Sequence, residues 1–270
     1  MASFDFDQAE GLRRMLAAGP KPRVFTFLSA ASAEEKGAML VNLGASLAQA
    51  GRDVLLVDAS LASEGIASRL DALRGATLTQ VARMERRLED VIQQMPQGFG
   101  VAALKRGPQR SAVKDAELAG RMDGAFDQLA TRADIVVVDA ELDKEDSLAI
   151  PALNDTEIVV QVANSPESIK DAYALIKRLN NKLGRRPFSI LVTGASEKEA
   201  QVVFENMAKA ANRYLAVKLN SMGSVPADEH LKRAMHLGRA VVDAFPLAGA
   251  SVAFRRLAGK VVLSDMAAAG

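Results

Sequence analysis

The residue types best suited to chemistry sit in one loop, Ser29-Ala30-Ala31-Ser32-Ala33-Glu34-Glu35-Lys36-Gly37-Ala38, between an apolar run and a helical one. A lysine opening a helix after a strand is the arrangement that grips phosphate. Glycine-rich turn amides wrap the anion, the lysine neutralises it, and a following Ser or Thr hydroxyl holds magnesium. Of that set only the lysine is present. None of residues 29–35 is glycine, so the backbone lacks easy access to the positive φ angles of a phosphate nest, and Gly37 brings no hydroxyl. Glu34 and Glu35 add negative charge to the same turn. One carboxylate beside one phosphate at about 4 Å costs on the order of 4 kcal/mol at an effective dielectric of about 20, close to three decades of affinity. On these residues alone, Lys36 is a solvated side chain in a first helical turn.

A second small constellation lies at the N-terminus. Asp7 followed by Glu10 has the spacing of a capping box, and Ala9, Leu12, Met15 and Leu16 then share one helical face. The pattern predicts a short amphipathic helix with Gln8 in its first turn. By itself such a helix simply packs on the body that follows. Gly19-Pro20-Lys21-Pro22 breaks it off from that body.

The elements that must position these residues are legible from composition and period. The chain has 270 residues, 49% apolar and 25% charged, enough for a full core in one large α/β domain and too apolar for disorder. Its 34 basic and 33 acidic side chains give a net charge of +1, which supplies no global field for nucleic acid or an anionic membrane. With no cysteine and only His230 and His236, neither a disulfide framework nor a metal site is expected, and a reducing cytoplasm fits. No signal peptide is expected behind Phe4-Asp5-Phe6-Asp7, and no stretch reaches 18 uncharged apolar residues; membrane contact is expected to be peripheral at most.

Strands are predicted at Val24–Leu28, Val54–Asp58, Phe99–Leu104, Ile135–Asp139, Glu157–Val162 and Phe188–Thr193. Met39, Leu40, Leu43 and Leu47 recur at helical spacing between the first two, making a βαβ unit. Further helices are predicted at Asp115–Thr131, Ser168–Leu179 and Lys198–Asn212. Runs apolar at every position are strands covered on both faces, so the expected fold is α/β, a doubly wound, mostly parallel sheet with helices on both faces. Ligands of such sheets bind at the carboxyl ends of strands, which puts the loops after Leu28, Asp58, Asp139, Val162 and Thr193 on one rim. The domain boundaries read as an N-terminal helix at 1–18, a linker at 19–22, the α/β domain at 23–262 and a tail at 263–270.

The stretch Val41-Asn42-Leu43-Gly44-Ala45-Ser46-Leu47-Ala48, followed by Gly51-Arg52 and Val54-Leu55-Leu56-Val57-Asp58-Ala59, resembles the segment after the deviant Walker A motif in MinD/ParA ATPases. That resemblance implies a P-loop NTPase fold over residues 23–262. In its register Lys36 falls on the phosphate-binding lysine, Ala31 replaces the signature lysine that bridges an ATP-bound dimer, and Ser60 replaces the aspartate that polarises water. Asp139 is similar to the Walker B aspartate; Asp143 replaces a glycine that follows it, and Thr193 an adenine-reading asparagine. Lys36, Asp58 and Asp139 are therefore expected as remnants of a nucleotide site, with no catalytic residue intact.

Within that family the chain resembles the FlhG branch, also called FleN. Asp7-Gln8-Ala9-Glu10-Gly11-Leu12-Arg13 fits the branch's DQAxxLR pattern, and Pro166-Glu167-Ser168-Ile169-Lys170-Asp171-Ala172-Tyr173-Ala174-Leu175-Ile176-Lys177 is close to its PTSITDAYALIK segment. The first implies docking on the GTPase FlhF through Asp7, Gln8, Ala9, Leu12 and Arg13, with Gln8 assisting GTP hydrolysis. The second reads as structural, with Pro166 near N1 and Ile169, Ala172, Tyr173 and Ile176 facing the core. Gly223-Ser224-Val225-Pro226-Ala227-Asp228 is similar to the family loop near the adenine, and a Pro-anchored turn explains it equally well.

At the C-terminus Val252, Phe254, Leu257, Val261 and Val262 alternate with Arg255, Arg256 and Lys260. A final helix packed on the domain is expected rather than a membrane helix. His236 is expected at the surface. The implied function is regulation of flagellar number or placement by protein binding, with a pseudo-ATPase rather than an ATPase centre and no cofactor. ATP and magnesium would enter only if the altered loop still cradled phosphate. Implied partners are an FlhF-type GTPase, flagellar C-ring components or a flagellar transcription regulator, with no direct nucleic acid; the place of action is the cytoplasm, with recruitment to the cell pole or inner membrane face. A working ATP switch and a partition or pilus-positioning protein remain the alternatives.

Overall fold

The computed structural model describes residues 21–61, 65–105 and 116–268. The helix expected near the N-terminus, with Asp7, Gln8, Ala9, Leu12 and Arg13, lies outside the described residues. Strands in chain order are β1 (Arg23–Ser29), β2 (Val54–Ala59), β3 (Gln93–Gln94), β4 (Gly100–Ala103), β5 (Ile135–Ala140), β6 (Glu157–Ala163), β7 (Phe188–Thr193) and β8 (Leu219–Val225). They form one sheet in the order β3-β4-β2-β5-β1-β6-β7-β8. Every pairing is parallel except β3 with β4.

The described helices are α1 (Ala33–Gln49), α2 (Ile66–Arg69), α3 (Leu78–Ala82), α4 (Ala116–Ala130), α5 (Pro166–Leu183), α6 (Glu197–Leu215), α7 (Glu229–His236), α8 (Val241–Ala244) and α9 (Gly249–Ala268). Strand side chains alternate between two cores. Val136, Val138 and Val160 meet Phe126 of α4, Ile176 of α5 and Met207 of α6 on one face. Phe27, Leu56 and Val137 meet Leu40 of α1 and Phe254 and Leu257 of α9 on the other. This two-sided cover is why the central strands carry no polar alternation. α5 starts where its sequence says it should: Ser165 accepts from the Ser168 amide, and Pro166 occupies the first turn.

β3 and β8 were not expected. Gln93–Gln94 is too short to register as a run, and Leu219-Asn220-Ser221-Met222-Gly223-Ser224-Val225 is mostly polar because an edge strand needs little apolar surface. The pairing of β8 with β7 shifts register between Ile190 and Leu191. At Gly223, φ is 141° and an added Cβ would stand 2.7 Å from a Leu257 methyl, so only glycine lets α9 lie this close to the edge. α9 is packed on the body through Phe254, Leu257 and Val261, as expected, and its helix continues past Val262 to Ala268. Among the described residues no helix is long and apolar enough to cross a membrane.

Candidate functional site

The carboxyl ends of β1, β2 and β5 lie side by side, with Asp58 in register with Asp139 and Phe27 with Asp139. β1 therefore delivers its loop, and α1 its first turn, directly above two carboxylates. The loop has no left-handed residue between 29 and 37. Three of its amides are paired as follows: Ala30 N–H donates to the Gln161 carbonyl of β6 (3.0 Å), Ala31 N–H to Ser29 Oγ (2.9 Å) and Ser32 N–H to Glu35 Oε2 (3.2 Å). Glu35 N–H returns the bond to Ser32 Oγ (3.2 Å), completing a capping box. The Ala30 carbonyl accepts from Ser168 Oγ at 2.9 Å, tying the loop to α5.

Lys36 is not solvated. Its side chain is 6% exposed, its ammonium pairs with the Asp139 carboxylate, and it donates to the Ala140 carbonyl at 2.6 Å. The reason is packing: α1 lies flat on the sheet through Met39, Leu40 and Leu43, so the first-turn lysine has β5 beneath it rather than water. Asp58 closes the group. Its Oδ2 accepts from the Ala67 amide (2.9 Å) and its Oδ1 from the Ser60 amide (3.1 Å), so this carboxylate caps α2. An added Cβ on Gly65 would stand 2.2 Å from the Asp58 oxygens, so the chain crosses the carboxylate where only glycine fits.

Burial, reinforced by the charge of Asp139, pushes the Asp58 carboxyl up to about 6, against the opposing effect of its two amide bonds and Lys36. The unfolded value of 3.8 is lower, so the folded state holds this proton more tightly. The Asp58 contribution to stability is therefore fully present below pH 4 and is lost as pH rises through 6, a change on the order of 3 kcal/mol. Urea unfolding of wild type and Asp58→Asn across pH 4 to 7 checks it: the wild-type curve gains a downward slope that the variant lacks.

Ser60 donates to Glu141 Oε1 (3.1 Å), and the Leu61 amide donates to Glu141 Oε2 (3.1 Å). Lys105 reaches the Leu61 carbonyl (3.3 Å); burial lowers its pKa, opposed by the charges of Asp58 and Glu141. Arg69 lies across Gly37, with Cδ 2.9 Å and Nε 3.0 Å from where a Cβ would be. Asp143 is buried and accepts from the Glu145 and Ser147 amides (2.8 and 2.9 Å), so it shapes the turn after β5.

Beside this cluster, beyond the ends of β6, β7 and β8, is a cavity of about 970 Å³. Met39, Val225, Pro226 and Phe254 supply apolar walls, with Gln161 and Thr193 among the lining residues. Thr193 Oγ1 meets Gln161 Nε2 at 3.4 Å and the Val162 carbonyl at 3.4 Å. Asp228 holds the far wall: it accepts from the His230 and Ala250 amides (both 2.9 Å), joining α7 to the start of α9. The turn Gly223–Asp228 therefore both lines the cavity and caps a helix. His236 is exposed.

No protein-family model matches the chain. It is 34% identical over 223 residues to the antiactivator FleN of Pseudomonas aeruginosa, covering 82% of this chain and 79% of that protein. The chain belongs to the FleN (FlhG) branch of the MinD/ParA family. The fold agrees. The MinD cell division protein of Aquifex aeolicus superposes with a TM-score of 0.66 at 17% identity, covering 89% of this chain and 96% of that one. A ParA family ATPase of Chlorobium tepidum gives a TM-score of 0.64 at 18% identity, covering 89% and 98%.

In this FleN-like chain the structure brings Lys36, Asp58 and Asp139 together, while Thr193 sits apart in the cavity. Sequence reading did not single out Glu141, Lys105, Arg69 or Gln161. Gln161 left a signal, a polar residue inside the apolar run Glu157–Val162. Glu141 left a weaker one, a second acid just past a strand end. Lys105 and Arg69 left none, since each gains meaning only from what the fold sets beside it.

Proposed function

We propose that this protein regulates flagellar number or placement by binding other proteins, and that its nucleotide centre does not run an ATP cycle. The observation that carries the proposal is the 34% identity to FleN, an antiactivator, over most of both chains. The N-terminal segment, through Asp7, Gln8, Ala9, Leu12 and Arg13, stimulates an FlhF-type GTPase, Gln8 orienting the attacking water. The α/β body serves as the scaffold for C-ring components or a flagellar transcription regulator. Action is in the cytoplasm, with recruitment to the pole or inner membrane face.

Support for an idle nucleotide centre comes from four features. The Ala31 and Ser32 amides are already bonded to Ser29 and Glu35, Lys36 is paired with Asp139, Gly37 has no hydroxyl for magnesium, and Ser60 with Glu141 stands where a water-activating aspartate would be. Magnesium ATP does not fit these residues as they stand. The competing reading, an ATP-driven switch, is favoured by one observation, the retention of Lys36, Asp58 and Asp139 at adjoining strand ends.

The test is GTP turnover by an FlhF-type GTPase with and without this protein. The wild type raises the rate, and Gln8→Ala abolishes at least about nine-tenths of the stimulation while leaving binding of the segment intact, as expected for loss of a water-orienting group. Stimulation indifferent to Gln8 overturns the N-terminal role. ATP turnover by the protein alone that Lys36→Ala removes favours the switch.

A further inference from the structure

We propose that the outer edge of β8 receives the chain's own Phe4-Asp5-Phe6-Asp7 segment, which lies outside the described residues, as an added strand, and that this docking withdraws the neighbouring Gln8 from its GTPase partner. The second half rests on the reading that Gln8 acts on such a GTPase. β8 ends the sheet, with β7 as its one neighbour among the described residues. Asn220 and Ser221 are exposed, and Met222, Gly223 and Ser224 are half-buried. Its seven residues hold neither proline nor charge, two of the usual guards against a further strand on such an edge.

Two helices wall this edge, and they differ in character. α9 sets Arg256 and Lys260 along a cavity of about 250 Å³ that Ser221, Gly223 and Ser224 of β8 also line. Lys260 has no ion-pair partner among the described residues, and its Nζ lies 3.8 Å from where a Cβ on Gly223 would stand; Arg256 pairs with Glu197 of α6. α6 lines the same cavity with Glu197 and Gln201, and farther along that helix face Phe204 and Ala208 are apolar and half-buried. A strand alternates its side chains, so Phe4 and Phe6 turn to one helix when Asp5 and Asp7 turn to the other. The phenylalanines suit α6 and the aspartates suit the two cations of α9, as in strand addition to a sheet edge.

The tether favours the chain's own segment over that of a second copy. Arg23, which opens β1, donates to the Val261 carbonyl at 3.0 Å, so the chain enters the domain beside the residue that follows Lys260. From β1 to β8 is three strand spacings, about 15 Å, and residues 8–22 reach up to about 50 Å when extended. A segment on so short a tether meets the edge at an effective concentration of about millimolar.

Hydrogen exchange of the full-length protein tests the docking. Amides of residues 219–225 exchange about tenfold or more slowly in the wild type than in Phe4→Ser/Phe6→Ser, whose changes lie outside the α/β body. Lys260→Glu, at an exposed position, speeds the same amides, and adding Asp5→Lys and Asp7→Lys restores their protection. Equal exchange in the wild type and Phe4→Ser/Phe6→Ser overturns the proposal, as does a charge swap that restores nothing. Protection that grows with protein concentration assigns the strand to a second copy and overturns it too. In GTP turnover by an FlhF-type GTPase, Lys260→Glu lowers the concentration for half-maximal stimulation about threefold or more and leaves the maximum unchanged; an unchanged concentration overturns the withdrawal of Gln8. The failures are distinguishable. Unchanged exchange with stimulation that still needs Gln8 removes the docking alone, whereas stimulation indifferent to Gln8 removes the functional reading and leaves the docked strand in place.

Discussion

Lys36→Met lowers the unfolding free energy by about 3–5 kcal/mol, the loss expected when one partner of a buried ion pair is removed and the other stays. Asp139 then loses the ammonium that pairs with it in a buried site beside Asp58, and the Ala140 carbonyl loses its donor. Lys36→Met with Asp139→Leu recovers most of that loss, because an apolar pair of similar volume replaces a buried ion pair at little net cost. Urea denaturation of the four proteins of this cycle measures it. A lysine acting only on bound phosphate would give a near-neutral single substitution and no coupling with Asp139. The size of the coupling therefore says whether this lysine has become part of the sheet's structure.

Gly65→Ala costs about 3 kcal/mol, although its backbone is extended and alanine would ordinarily be neutral or slightly stabilising. The cost comes from one collision, a methyl placed 2.2 Å from the Asp58 oxygens. Relieving it moves Asp58 off the Ala67 amide and uncaps α2. In an Asp58→Ala background the same glycine substitution costs less than about 1 kcal/mol, because the atoms it met are gone. Thermal unfolding of the two single variants and the double variant reads out the difference. Equal cost in both backgrounds would mean that Gly65 is needed for some reason other than Asp58.

The central strands and the helices at 33–49, 116–130, 166–183 and 197–215 are legible in the sequence because Val- and Ile-rich runs and helical spacing report burial directly. β8 is not legible: an edge strand beside α9 carries Asn220, Ser221 and Ser224, and its one telling residue, Gly223, is explained only by Leu257 above it. At the site, the sequence shows that residues 29–35 hold no glycine, and the structure shows that no residue from 29 to 37 takes a left-handed conformation. The fate of Lys36 was not visible, because its partners come from β5, far along the chain, and a helix-opening lysine has the same local sequence whether it faces water or a carboxylate. The Ser60–Glu141 bond is hidden for the same reason. Pairings made by strand order need the sheet before they can be read.

Calorimetric titration of the purified protein with magnesium ATP decides whether the Lys36 centre is idle. An idle centre gives no heat that depends on magnesium or on Lys36, up to about 1 mM nucleotide. Saturable micromolar binding that requires magnesium and disappears in Lys36→Ala would contradict it. In that event the Lys36–Asp139 pair opens to admit phosphate, and the strand-end cluster is a working nucleotide switch.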